Sequence, residues 1–318
     1  MRRLGFTMIE LIFVIVVMGI IGKFGTEFLA QAYRSFIFSS VNNTLQAQSE
    51  MAVETIASRL QFRIKDSVIG RRSDDFTKFE APAGIVSPLV LEDYDILEWV
   101  GSDIDGLRGD SLPYWSGIID LDPSKALGSA TLISPETNTT ALNTLIGILS
   151  DSGSGINNAA LYFIGSDSNI KTGYGWDGNP ITTQNAVMHP IRRSTVAGEE
   201  NRFIPIQGGS NPIVDNNFIG VDVFEYYQLA WTAYAIGIDD YNTGVNAGKD
   251  VGTLKLWYDY QPWEGENYED NAKEVILMDN VSTFRYKAVG SIMKIQVCTK
   301  SLLLTNEDYS LCKEKTIF

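Results

Sequence analysis

Histidine is almost missing: His189 is the only one in 318 residues. Any Ser-His-Asp or Cys-His nucleophilic site would have to be built on it. Yet His189 sits before Pro190 in a polar segment, and no Gly-x-Ser-x-Gly elbow frames a serine. Cysteine is nearly as scarce. Cys298 and Cys312 are the only two, and with one distant histidine they lack the ligand spacing of a zinc site. Phosphate-binding glycine loops and dinucleotide fingerprints are absent as well. Positive charge is short, with 25 Lys and Arg against 39 Asp and Glu, a net charge of −14. Basic runs are limited to Arg2-Arg3, Arg71-Arg72 and Arg192-Arg193, each read as a solvated pair. Nucleic acid is therefore excluded as a partner, because phosphate contacts need clustered cations.

What remains is globular composition, 44% hydrophobic and 20% charged. The 28 glycines, 10 prolines and 11% aromatics favour a loop-rich β domain over a helical bundle. The strongest local signal lies at the start of the chain. Arg2-Arg3-Leu4-Gly5 precedes a run from Phe6 to Gly22 that is apolar except for Thr7 and Glu10. A carboxylate inside such a run is expensive, roughly 2.5–3.5 kcal/mol or more at the centre of an inserted helix.

Three readings compete for residues 1–32. A cleaved secretory signal would end at Ala30-Gln31-Ala32, but leaves Glu10, Lys23 and Glu27 unexplained. An uncleaved anchor, held N-in by Arg2 and Arg3, explains everything except the acid. The third reading accounts for the acid. Gly5-Phe6-Thr7-Met8-Ile9-Glu10 resembles the N-terminus of type IV prepilins and pseudopilins: a short basic leader ending in glycine, then Phe, and Glu four residues later. The resemblance implies that a prepilin peptidase cuts between Gly5 and Phe6 and methylates the new amine of Phe6. It also implies that Glu10 pairs with the N-terminal amine of a neighbouring subunit during assembly. Leu4, Met8 and Lys23 depart from the commonest family pattern without removing these residues.

Beyond Phe24 the helix pattern turns amphipathic. Tyr33, Ile37, Val41 and Leu45, then Ala52, Ile56, Leu60 and Ile64, recur every fourth residue. One helix over residues 6–67 would be roughly 90 Å long, with residues 6–29 in membrane or filament core and Val68-Ile69-Gly70 ending it.

Residues 71–220 carry the weakest signal. Short strands are expected at Gly84 to Leu91, Gly117 to Leu121 and Ala160 to Ile164, and a helix at Thr137 to Leu149. Ser150 to Gly155 and Ser166 to Gly178 read as surface loops. From Val221 the pattern sharpens. The runs Phe224 to Ile236, Leu254 to Tyr260, Val275 to Tyr286 and Ser291 to Val297 read as antiparallel strands that the helix covers. The tyrosine-rich strand, Gln261-Pro262-Trp263 and Asp279-Asn280-Val281-Ser282-Thr283-Phe284-Arg285-Tyr286 resemble J-type minor pseudopilins of type II secretion and W-type minor pilins.

The expected fold class is α+β and pilin-like. It comprises a leader at 1–5, a helix at 6–67 and a β-rich periplasmic or extracellular head at 68–318. The resemblance implies a non-enzymatic minor subunit of a type IV pilus or type II secretion pseudopilus, at the tip or initiating assembly. Its implied partners are other pilin subunits, the prepilin peptidase and the inner-membrane assembly platform. The implied location is a single inner-membrane pass with the head in the periplasm, then the filament or cell surface. The alternative is a tethered or secreted ligand-binding, adhesin-like protein, for which Trp257, Tyr258, Tyr260 and Trp263 could stack on sugar.

Cys298 and Cys312 can pair if the chain is exported, closing a loop worth about 3 kcal/mol; two buried free thiols are the other possibility. Many pilins carry a C-terminal disulfide loop, a habit this pair fits. No cofactor is expected. The only metal worth weighing is calcium, at Asp239, Asp240, Asn242 and Asp250, or around Asp103, Asp105 and Asp110. Neither loop has EF-hand spacing, and such clusters are mostly turns.

Overall fold

Helix α1 (Met8–Leu60) is 53 residues long, about 80 Å at 1.5 Å per residue. The protein is seen here as a computed structural model that describes residues 7–85, 94–122, 131–166, 169–301 and 309–318. The apolar first half of α1 is not buried against any of the described residues. Its first buried residue is Leu45, and Ser49, Ala52, Val53, Ile56, Ala57 and Leu60 continue one stripe down the head-facing side. The helix stops seven residues short of the expected Ser67. Backbone pairing with a strand wins over further helix: Ile64 N–H donates to Val100 O at 2.9 Å, and Ser102 N–H to Phe62 O at 2.8 Å. Val68-Ile69-Gly70, read from sequence as the helix stop, leads instead into β1 (Ile69–Arg72). Glycine is required there because a Cβ on Gly70 would collide with the Tyr286 hydroxyl.

After β1 come β2 (Asp75–Glu80) and β3 (Ile96–Gly101). A second lobe follows: α2 (Ile104–Arg108), β4 (Leu132–Ile133), α3 (Thr139–Leu149), β5 (Ala160–Phe163), β6 (Met188–Arg193), β7 (Arg202–Pro205) and β8 (Tyr227–Ala230). The chain then returns to the first lobe through β9 (Thr232–Asp239), β10 (Gly252–Tyr260), β11 (Lys273–Val289), β12 (Ile292–Lys300) and β13 (Ser310–Ile317). Among the described residues two antiparallel sheets result. The large one has the order β13-β12-β11-β10-β9-β3-β1-β2, and the small one β4-β7-β6-β5-β8. The fold is thus α+β, with a long apolar N-terminal helix and large antiparallel sheets.

The second lobe is an insertion between neighbouring strands, since Gly101 and Thr232 are Cα partners in the β3–β9 ladder. It has its own core, in which Trp115, Leu142, Ile146, Phe163 and Phe203 pack together. A further cluster joins the lobes: Ile64, Ile69 and Val100 pack with Tyr162, Tyr174, Trp176 and Trp263. The third cluster sets the α1 stripe against Trp99, Ile236, Leu256, Phe284 and Ile295 of the large sheet.

Several expectations hold, including the strand at Ala160, the helix before Leu149 and the run of consecutive C-terminal strands. Others fail for identifiable reasons. Ser166 to Gly178 is not simply a surface loop, because Tyr174 and Trp176 are buried in the cluster between the lobes. The run Phe224 to Ile236 is not one strand: it breaks at Trp231, with β8 in the small sheet and β9 in the large one. Gly117 to Leu121 contributes only an isolated bridge, Ile118 with Tyr226. The strand expected over Val275 to Tyr286 is present, within a single 17-residue strand in which Asn280 has φ 57° and the ladder shifts register nearby. Of the expected strand Gly84 to Leu91, residues 86–91 lie outside the described ones.

Candidate functional site: the N-terminal helix

The sequence points first to Glu10, and its local structure follows from Thr7-Met8-Ile9-Glu10. Thr7 is the N-cap of α1 and Glu10 its third helical residue. Thr7 Oγ1 accepts the Glu10 N–H at 3.4 Å, while Glu10 Oε2 accepts the Thr7 N–H at 3.0 Å and the Thr7 hydroxyl at 2.9 Å. This reciprocal arrangement is a capping box, which satisfies backbone donors that a helix start leaves open. Negative charge is also favoured at that end of a helix. Thr7 as the partner of Glu10 went unremarked in the sequence, although Thr-x-x-Glu before an apolar run is the motif that reports it. Gly5, Phe6 and the remainder of the 1–5 leader lie outside the described residues.

Around Glu10 the helix surface is open and apolar. Phe13 is 69% exposed, Ile15 63%, Phe24 65% and Phe28 71%. Nothing among the described residues covers these side chains, and the segment is a candidate single membrane span by length and composition. Gly19, Gly22 and Gly25 lie within it, and a Cβ added at any of them would meet nothing within 4 Å. Their small size serves no packing among the described residues.

Cys298 and Cys312 form a disulfide with Cα atoms 4.0 Å apart. They face each other directly across the β12–β13 ladder, so sheet register alone brings them together. The strand they join is also tied to α1. Lys313 reaches Glu50 at 2.8 Å, and Lys315 pairs with Glu54.

The other sequence candidates occupy structural positions. Asp239 pairs with Lys255 at 2.7 Å. Asp240, Asn242 and Asp250 adopt positive φ in the turns between β9 and β10, and Asn242 Oδ1 accepts the Gly248 N–H at 2.6 Å. Asp103 caps α2 by accepting the Gly106 N–H at 3.2 Å and also accepts the Trp115 indole N–H at 3.1 Å. Burial pushes its carboxyl up to about 6. Among the described residues no group of three or more His, Cys, Asp or Glu side chains is placed to hold a metal ion. His189 is buried against Phe163 and Phe218, with Nδ1 3.1 Å from Gln184 Oε1. Of the four aromatics considered for sugar stacking, Trp257, Tyr260 and Trp263 belong to the core.

Arg71 departs furthest from its sequence reading as one of a solvated pair. It is fully buried, paired with Glu98, and donates to Trp176 O at 2.8 Å. Tyr260 donates its hydroxyl to the other Glu98 oxygen at 2.9 Å. Burial raises the Glu98 carboxyl above its ordinary value, and the Arg71 guanidinium opposes that rise. No sequence signal marked this cluster, because its four members come from β1, β3, β10 and the inserted lobe.

Comparison of the chain with protein-family models, with curated proteins and with solved structures finds no match.

Proposed function

We propose that the chain is a minor pilin or pseudopilin, a structural subunit that acts by assembly through α1 rather than by catalysis. In this reading the chain inserts with Arg2 and Arg3 in the cytoplasm. A prepilin peptidase cuts between Gly5 and Phe6, and the assembly platform passes the subunit into a type IV pilus or a type II secretion pseudopilus. The observation that carries the reading is Glu10: a carboxylate at the start of a helix whose apolar first half is left uncovered by the described residues. Its bonds to Thr7 both end on Oε2, so the carboxylate retains acceptor capacity for the amine of another subunit. Pairing with that amine offsets the cost of carrying charge into hydrocarbon and marks one axial register between neighbours.

Tip or initiating placement is supported by the inserted lobe. It is rooted at the distal end of α1, where Ser102 bonds the Phe62 carbonyl. Bulk at that end is easier to accommodate where no further subunit follows. The mature N-terminus tests the central reading. Mass spectrometry of the protein from its native membrane should find N-methylated Phe6. A mature start at Tyr33 or an intact Met1 would contradict it.

A further inference from the structure

Arg59 and Arg108 face a cleft of about 530 Å³ at the seam between the two lobes. Its walls are the end of α1, α2, and β9 to β11. The volume falls in the roughly 300–1,000 Å³ range of small-molecule sites, which favour such seams. The Arg59 guanidinium lies 5.9 Å from the Tyr234 ring centroid, and that of Arg108 lies 5.6 Å from the Phe62 centroid. Neither takes part in an ion pair found among the described residues, in a chain of net charge −14. Two arginines from different elements, each beside a ring and neither ion-paired with a described carboxylate, thus present donors to one cavity that the Asp103 and Asp105 carboxylates also line.

The rest of the lining narrows the ligand. Ser58, Ser102 and Thr232 contribute hydroxyls, Asp105 a carboxylate, and Tyr258 a further ring. Asp103 also lines the cleft, but its oxygens already accept from Gly106 and Trp115. The carboxylates of an acidic peptide would answer the arginines, but its ionised side chains accept only and offer Asp105 no donor. A ligand with both a carboxylate and several hydroxyl donors satisfies both, and its C–H faces pack on aromatic rings.

We propose that this cleft binds an acidic saccharide, with its carboxylate held by Arg59 and Arg108, its hydroxyls donating to Asp105, and its ring packed among Phe62, Tyr234 and Tyr258. The site stands independently of the filament reading, because it uses only the distal end of α1 and the head.

The test is calorimetry and saturation-transfer NMR on the full-length protein in detergent micelles, with trigalacturonate as the probe. Saturable binding is expected, weakened about tenfold or more by Arg59→Gln or by Arg108→Gln with the thermal midpoint unchanged. Neutral maltotriose should bind at least about tenfold more weakly. No binding of trigalacturonate at roughly 10 mM, or equal affinity in the Arg59→Gln/Arg108→Gln double variant, would overturn the proposal. Tetraglutamate binding as tightly as trigalacturonate would overturn it too, showing that the cleft reads a carboxylate and not a sugar.

Discussion

His189 shows how a residue can be scarce, titratable and still structural. Burial holds its imidazole down at about 3, against an ordinary 6.5. Between those values the unfolded chain binds a proton that the folded chain refuses, so this group's contribution is present above pH 6.5 and lost as pH falls toward 3. At pH 4.5 the loss is about 2.7 kcal/mol, two pH units at about 1.36 kcal/mol each. Asp103 and Glu264, raised by burial to about 6 and about 7, have the opposite sign: their contribution is present at low pH and lost as pH rises through those values. A comparison with His189→Gln cancels them. Urea unfolding at pH 7 and pH 4.5 should show a smaller acid loss in the variant, by about 2–3 kcal/mol. Equal losses in both proteins would mean that His189 is not buried in its neutral form. Residue chemistry was legible from sequence where it was costly in place, as with Glu10 in an apolar run. It was hidden where distant partners create it: Arg71 is buried because Glu98 and the Trp176 carbonyl accept from it, with Tyr260 bonded in turn to Glu98.

At the scale of elements, α1 and β13 show how two periodicities are matched. Glu50 and Glu54 are four residues apart on a helix, about 6 Å, while Lys313 and Lys315 are two apart on a strand, about 6.8 Å. The pairs Glu50–Lys313 and Glu54–Lys315 therefore stand in step along the groove where α1 meets the sheet edge. Exposed pairs of this kind contribute little on their own; the apolar stripe beneath them supplies most of the contact. The disulfide holds the same strand from its other side, through β12. Replacing both cysteines by alanine should lower unfolding free energy by about 3 kcal/mol through loop-closure entropy. Hydrogen exchange should then rise first in β13 and in residues 45–60 of α1. Unchanged protection there would show that the strand is held by packing alone. The helix and the C-terminal strands were legible because each is long and strongly patterned. The end of α1 was not, since Ile64 bonds Val100 of β3 and Phe62 bonds Ser102 just past it, residues far along the chain.

The whole molecule poses a question about modularity. The inserted lobe enters and leaves at Gly101 and Thr232, side by side in one ladder, as a separable module would. Its contents argue otherwise. Tyr162, Tyr174, Trp176 and Met188 from the insertion share a core with Ile64, Ile69, Val100 and Trp263, and Trp176 O accepts from the buried Arg71. Removing the insertion would uncover that core and leave Arg71 short of an acceptor, so the two lobes should unfold together. Breaking the Arg71–Glu98 pair should destabilise both at once, by about 3–5 kcal/mol for Arg71→Ala, because Glu98 is left buried without its counter-charge. The measurement is chemical denaturation followed by two probes, near-ultraviolet circular dichroism and hydrogen exchange resolved for α3 and for β10. Coincident transitions in wild type, displaced together in Arg71→Ala, are the expected result. A variant that lost β10 while α3 kept its protection would show two independent domains. This lay beyond the sequence, where residues 71–220 offered short apolar runs without saying which lobe each would join.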